Sequence, residues 1–182
     1  LEPPSAEHLF GTDHLARDVF SRVIYGAQLS LSSAVLAVVA GVLIGSIVGL
    51  VCGYVGGPLD FVVMRFVDVL IAIPGILLAL IVVASLGFGP LSIALGVGLG
   101  TAGSFARVMR SQVLRVRSEE YVEAARTLGA RGPAILVRHV MPNAARPISA
   151  MASLELSLSI LSVSALSFLG FGAQPPAPEW GA

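Results

Sequence analysis

The 182-residue chain contains no lysine; all eleven of its basic residues are arginine. That absence removes a Walker A lysine, a Schiff-base lysine and a Ser–Lys dyad from consideration. Charge of either sign is scarce. Only 12% of residues are charged, about half the share of an ordinary soluble domain, and acids and bases cancel to zero. Cysteine is nearly missing as well: Cys52 stands alone in an apolar run, so no disulfide can close within the chain. The three histidines, His8, His14 and His139, lack metal-ligand spacing, and neither a metal nor a cofactor is expected. Neither HExxH nor GxSxG occurs, so a membrane-embedded hydrolase has no motif to rest on, and no catalytic residue is assigned.

What is present is apolar. Hydrophobic residues make up 55% of the chain, and 20 glycines add to them. No charge falls between Val23 and Leu59, or between Val69 and Ala106. Each stretch is nearly twice the roughly 20 residues a helix needs to cross the hydrocarbon core. With no alternating strand pattern, the reading is an all-α, multi-pass membrane protein. Four spans are expected, at about 29–53, 61–86, 91–109 and 148–171, the second containing Pro74 as a kink. Ahead of them, residues 1–28 read as an external loop and an interfacial amphipathic helix. That helix is expected from Asp13, capped by Thr12, with Asp13–Arg17 and Asp18–Arg22 as i,i+4 pairs.

Ser33, Ala37, Gly41, Gly45, Gly49 and Gly53 recur every fourth residue in the first span. Small residues at that spacing let a second helix approach closely, so a packing seam is expected there. Arg65 and Asp68, three apart, can pair with each other, or line a translocation path. Glu155 lies within the fourth span with no base nearby in sequence, a costly placement that points to a cavity or a partner.

Arginine placement sets the orientation. Residues 107–146 carry eight Arg against three Glu, a net of +5, and the positive-inside rule makes that segment cytoplasmic. Within it, Ser118 is expected to cap a helix with Glu119 and Glu120 in its first turn, and Gly129 to end it as a left-handed cap. Pro133 should open a second helix that Met141-Pro142-Asn143 closes. A helical hairpin projecting from the membrane, with Arg131 and small residues at its turn, suits docking of another protein.

Three motifs then carry a resemblance over nearly the whole chain. Glu123-Ala124-Ala125, followed by Gly129 and Met141-Pro142, resembles the EAA loop of binding-protein-dependent ABC importer permeases. Gly11-Thr12-Asp13 through Arg22, with Ile24-Tyr25-Gly26-Ala27, is similar to the entry motif of the dipeptide/oligopeptide/nickel subfamily, with Ala16 where that subfamily usually has Gly. Leu166 through Pro176 and Glu179-Trp180-Gly181 look like its exit motif. The resemblance implies a type I ABC importer permease bundle in the inner membrane of a prokaryote, with 110–146 as its cytoplasmic coupling loop. It implies a second permease, two ATP-binding subunits docked at Glu123, Ala124, Ala125, Gly129 and Arg131, and an external binding protein delivering peptides or nickel. Membrane lipid surrounds such a chain, and nucleic acid is no partner of it. Permeases of this family have six spans, so one is expected before Leu1 and one after Ala182. The competing class is a secondary transporter driven by an ion gradient, with Asp68 or Glu155 as the ion site.

Overall fold

Asp18, not Thr12, begins the first helix. The computed structural model describes residues 2–173 and 176–181, and in it the Asp18 carboxylate accepts from the Ser21 N–H at 2.8 Å. The helix that follows, α1 (Val19–Val55), runs unbroken for 37 residues, roughly 55 Å at 1.5 Å per residue. That exceeds the roughly 30 Å of a hydrocarbon core. The expected interfacial helix and first span are therefore one rod, and the segment from Asp13 is not helical. Its backbone goes elsewhere: the Asp13 carboxylate accepts from the N–H groups of Leu15 and Arg17 at 2.8 and 3.0 Å, a local turn that competes with helix. Thr12 is buried, and its Oγ1 accepts from the Glu2 N–H. The Asp13–Arg17 pair forms at 2.8 Å, across this turn; Arg22 leans toward Asp13 at 3.8 Å, and Asp18 instead faces His8 Nδ1 at 3.1 Å. Ala16 sits at φ +58° in the same turn.

α2 (Gly57–Ala72) and α3 (Gly75–Leu86) replace the single second span, bent by 96° at Ile73-Pro74. Pro74 lacks an N–H and forces Ile73 out of the helical region, to φ −82° and ψ 127°. The residue expected to kink a helix ends one and starts another. α4 (Pro90–Val116) and the last long helix, α8 (Arg146–Phe168), each run without a break. Three helices are thus long and apolar enough to cross a membrane, or four spans if the bent pair counts as one. α8 closes with the Gly170 N–H on the Ser167 carbonyl and the Phe171 N–H on the Leu166 carbonyl, Gly170 at φ +88°, the Schellman pattern.

The small-residue stripe of α1 packs against α4. A Cβ added at Gly45 would stand 2.6 Å from Phe105 Cβ, and one at Gly49 would stand 2.9 Å from Met109 Cβ. Gly98 on α4 answers in kind, against the Ala37 carbonyl at 2.6 Å. This is the most extensive helix pairing in the chain. Around it lie two apolar clusters. One joins Ala37, Ala79, Ile93 and Leu166 from α1, α3, α4 and α8, and the other lies at the arginine-rich end.

The two flanking motifs meet in space. Trp180 Nε1 donates to the Val23 carbonyl at 3.0 Å, and the Trp180 N–H donates to Ser30 Oγ at 3.1 Å. Gly26 is buried directly beneath the Glu179 backbone, where a Cβ would come within 3.3 Å. Gln174 and Pro175 of the exit motif lie outside the described residues.

Candidate functional site

At the arginine-rich end, α5 (Glu120–Thr127) leaves α4 through a short turn. Ser118 is not its cap: the Ser118 hydroxyl donates back to the Arg115 carbonyl at 2.8 Å, and Glu119 holds the cap position without a side-chain bond. The end is as expected. Gly129 lies at φ +83°, its N–H on the Arg126 carbonyl, with the Ala130 N–H on the Ala125 carbonyl, again the Schellman arrangement. No atom lies within 4 Å of where a Gly129 Cβ would project.

The return limb does not stop at Met141-Pro142. After α6 (Gly132–Ile135) comes a π-helical turn, Leu136–Val140, and then α7 (Met141–Ala144). Pro142 cannot donate, and in an α-helix its ring would strike the carbonyl four residues back. Widening the preceding turn, so that the Met141 N–H reaches the Leu136 carbonyl, accommodates it. The widening also spaces Ile135, Val140, Ala144 and Ile148 by five, four and four. All four stay on one buried face.

That face, together with Val122 of α5, joins Phe105, Met109, Val113 and Val116 of α4 in one cluster. The Tyr54 hydroxyl donates to the Gly132 carbonyl at 2.7 Å, and Arg117 donates to the Gly53 carbonyl at 2.9 Å. The projecting element is therefore clamped to α1, α4 and α8 at its root. Its outer side is bare: Glu123, Ala124, Arg126, Gly129 and Arg131 are exposed, and Ala125 is half-buried. Leu128, unremarked in the sequence, stands 88% exposed at the tip. A single exposed leucine is common on a protein surface; here it shares the exposed outer side with Glu123, Ala124 and Gly129. Its signal was one apolar residue just before the helix-ending glycine.

A second site lies between α2 and α4. Arg65 does not pair with Asp68; Asp68 pairs with Arg107 of α4 at 2.7 Å, and Arg65 sits over the Phe61 ring at 5.5 Å. A salt bridge across helices wins because Arg107 reaches Asp68 directly from the packed neighbour, while Arg65 can spread on an aromatic face. Asp60 was missed altogether. It is buried, and Arg110 grips it with two bonds of 2.5 and 2.6 Å. The two pairs line a cleft of about 370 Å³ with Met64 and Gly57. Asp60, Arg65, Asp68, Arg107 and Arg110 are thereby brought together, and Glu155 is not among them.

Glu155 lines a separate cavity of about 370 Å³ between α3, α4 and α8, with Gly75, Thr101, Leu158, Ser162 and Leu166. Among the described residues no cation lies within salt-bridge distance of its carboxylate. An unpaired acid at a helix centre costs about 2.5–3.5 kcal/mol on insertion scales, so its side chain is stable only where a polar space or partner meets it.

Long spans, a broken helix pair and a clamped, arginine-rich projection define a membrane transport component with the type I ABC importer permease fold. Residues 41–182 match the family described as binding-protein-dependent transport system inner membrane component, and the chain belongs to that family, a multi-pass component of the bacterial inner membrane and not an enzyme. It is 48% identical over 179 residues to the glutathione transport system permease protein GsiD of Escherichia coli O6:K15:H31 (strain 536 / UPEC), covering 98% of this chain and 59% of that protein. Its counterpart in Shigella flexneri serotype 5b (strain 8401) is 49% identical over the same length. The chain thus spans 59% of the length of these curated relatives. In fold it is similar to a structure of the MetNI methionine ABC transporter in inward-facing conformations, with a TM-score of 0.72 at 22% identity, covering 84% of this chain and 76% of that one. An amino acid ABC transporter with histidines gives 0.65 at 19%, covering 89% and 75%.

Proposed function

We propose that the chain forms the translocating core of a permease that imports short peptides, driven by partner ATP-binding subunits. An external binding protein supplies the solute, and a second permease completes the path. The observation that carries the reading is the projection at 120–144: anchored by Val122 in the cluster of α4 and α8, bare at Glu123, Ala124 and Leu128. A push at that tip reaches the spans through packed side chains, which is what coupling to a nucleotide cycle requires. Identity of 48% to glutathione permeases supports a peptide as solute, ahead of nickel. Glu155 and the Asp60–Arg110, Asp68–Arg107 cleft are the groups that meet the path.

The test uses the full-length permease co-expressed with its partner permease and ATPases. Leu128→Asp and Glu123→Lys, both on exposed positions, should leave the permease inserted while ATPase co-purification and ATP-driven peptide uptake fall at least tenfold. Gly129→Asp should act likewise. Normal uptake in all three would reduce the projection to a connector. Uptake in proteoliposomes from an ion gradient without ATP would instead establish the secondary-transporter class.

A further inference from the structure

The cavity around Glu155 has a polarity that specifies its guest. Three of its lining side chains are polar: Glu155, Thr101 and Ser162. The Thr101 hydroxyl donates to the Gly98 carbonyl at 3.1 Å, and the Ser162 hydroxyl donates to the Leu158 carbonyl at 2.9 Å. Each hydroxyl has one proton, spent on its own helix; the Thr101 oxygen lies against Gly41 of α1, so the Ser162 oxygen is the one that offers the cavity lone pairs. The carboxylate likewise only accepts. Every other lining side chain is aliphatic or absent. The lining therefore satisfies a donor and leaves an anion without a side-chain partner.

One feature opposes this. Gly75 and Ile76, at the amino-terminal end of α3, form part of the wall. A helix end carries about half a positive charge, against the full negative charge of Glu155. The carboxylate prevails, and the cavity favours a cation with several N–H donors. A divalent metal fits poorly, because among the described residues no three His, Cys, Asp or Glu side chains converge, whereas calcium and magnesium take about six or more oxygens and zinc about three or four protein ligands.

We propose that this cavity holds the primary ammonium group of a solute, with Glu155 as counter-charge and the Ser162 oxygen as a neutral acceptor. Its volume of about 370 Å³ falls in the range of small-molecule sites, about 300–1,000 Å³. Glu155 lies nine residues into α8 from Arg146, roughly 14 Å along the axis, which places the ammonium well inside the membrane. The placement on a transport route rests on the importer reading above; the chemistry rests on the cavity alone.

Two measurements on the full-length permease in its assembled complex test this. In the first, a hydrophobic carbodiimide modifies Glu155 in the presence of glycinamide or N-acetylglycinamide, and mass spectrometry follows the loss of the unmodified Glu155 peptide, so that an amide formed when glycinamide captures the activated carboxyl counts as modification. Glycinamide should slow modification at least threefold, and the acetylated analogue, which lacks the ammonium, should not; Ser162→Ala should weaken the protection. Equal effects of the two probes, or protection by nickel or magnesium alone, would overturn the assignment. In the second, Glu155→Gln should lower glutathione taken up per ATP hydrolysed at least tenfold with the complex intact on size exclusion, and Glu155→Asp should retain most of it. Dissociation of the complex in Glu155→Gln would show that the carboxylate meets a cation of the second permease, and overturn the proposal. Amine protection in a wild-type complex that transports no peptide would uphold the site and refute the importer reading; transport without protection would do the reverse.

Discussion

Replacing Gly45 by Ala should destabilise the protein although alanine is the better helix former. In a helix interior the exchange favours folding by about 1 kcal/mol. At Gly45 the new methyl would meet Phe105 Cβ at 2.6 Å and the Ala106 nitrogen at 3.0 Å, where carbon contacts settle at about 3.5–4.0 Å. α1 and α4 must therefore part by about 1 Å along their seam. A gap of that size forfeits a quarter to a half of each contact's well, and overpacking of this kind costs about 1–3 kcal/mol. The Ala102 carbonyl lies closer still, which puts that cost in the upper half of the range, about 2–3 kcal/mol; less the propensity gain, the net loss is about 1–2 kcal/mol, a fall of roughly 2–8 °C in melting temperature for a chain of this size. Gly49→Ala should behave alike, with Met109 Cβ at 2.9 Å. The double variant should cost less than the sum, because helices already parted for one methyl admit the second. Cys52, 1% exposed beside Gly53 of the same seam, supplies the reporter. A fluorogenic maleimide added to detergent-purified full-length permease, any other cysteines replaced, reacts when α1 leaves α4. Leu43→Ala, on the outward face of α1, is the control and should shift the midpoint little. An unchanged or higher midpoint in Gly45→Ala would mean that propensity outweighs the seam, and refute the packing argument.

Other consequences are equally direct. Asp60→Ala should cost about 1.5–3 kcal/mol, since it removes two charge-assisted hydrogen bonds to an Arg110 that is one-third exposed, whereas Asp68→Ala should cost under about 1 kcal/mol, because Asp68 and Arg107 are 46% and 55% exposed; equal thermal shifts would contradict this ranking. Ala16→Gly should increase hydrogen-exchange protection of residues 2–18. Relief of a left-handed alanine at φ +58° is worth about 1–2 kcal/mol, against about 0.5–1 kcal/mol of lost backbone entropy. The Arg17 N–H, with its guanidinium, holds the Asp13 carboxyl down at about 2 from an ordinary 3.8. A depressed carboxylate stabilises above its unfolded value, so protease resistance of the segment should be full above about pH 4 and decline as pH falls toward 2, more steeply than in Asp13→Asn.

How far the site was legible varies residue by residue. Gly129 was readable because a glycine after a short amphipathic stretch has one common use, the left-handed cap. Leu128 was not, since a single leucine is a core residue in most contexts, and only its mounting reveals that it points into water. The break at Pro74 carried a local signal, Pro-Gly, that the surrounding hydrophobicity masked: composition reports that a segment belongs in lipid, and not whether its helix is continuous. Thr12 was the expected cap and Asp18 serves instead, because Asp13 draws the intervening N–H groups into its own turn. Arg65 and Asp68 had the right spacing to pair, yet spacing along one helix says nothing about a stronger partner on the next.

The sequence by itself determined what depends on one-dimensional pattern: the membrane class from charge-free runs, the seam of small residues on α1, the projecting hairpin and the family motifs. Each follows from local chemistry or from a period that survives whatever the helix packs against. Only the tertiary structure decided the partners. It set Gly45 against Phe105, Asp60 against Arg110 and Trp180 against Val23, and gathered Glu155, Thr101 and Ser162 around one cavity. Helices in lipid have no strong hydrophobic preference for one neighbour over another, so pairing is settled by close shape fit and a few polar contacts. Those are properties of surfaces that exist only once two distant segments have met.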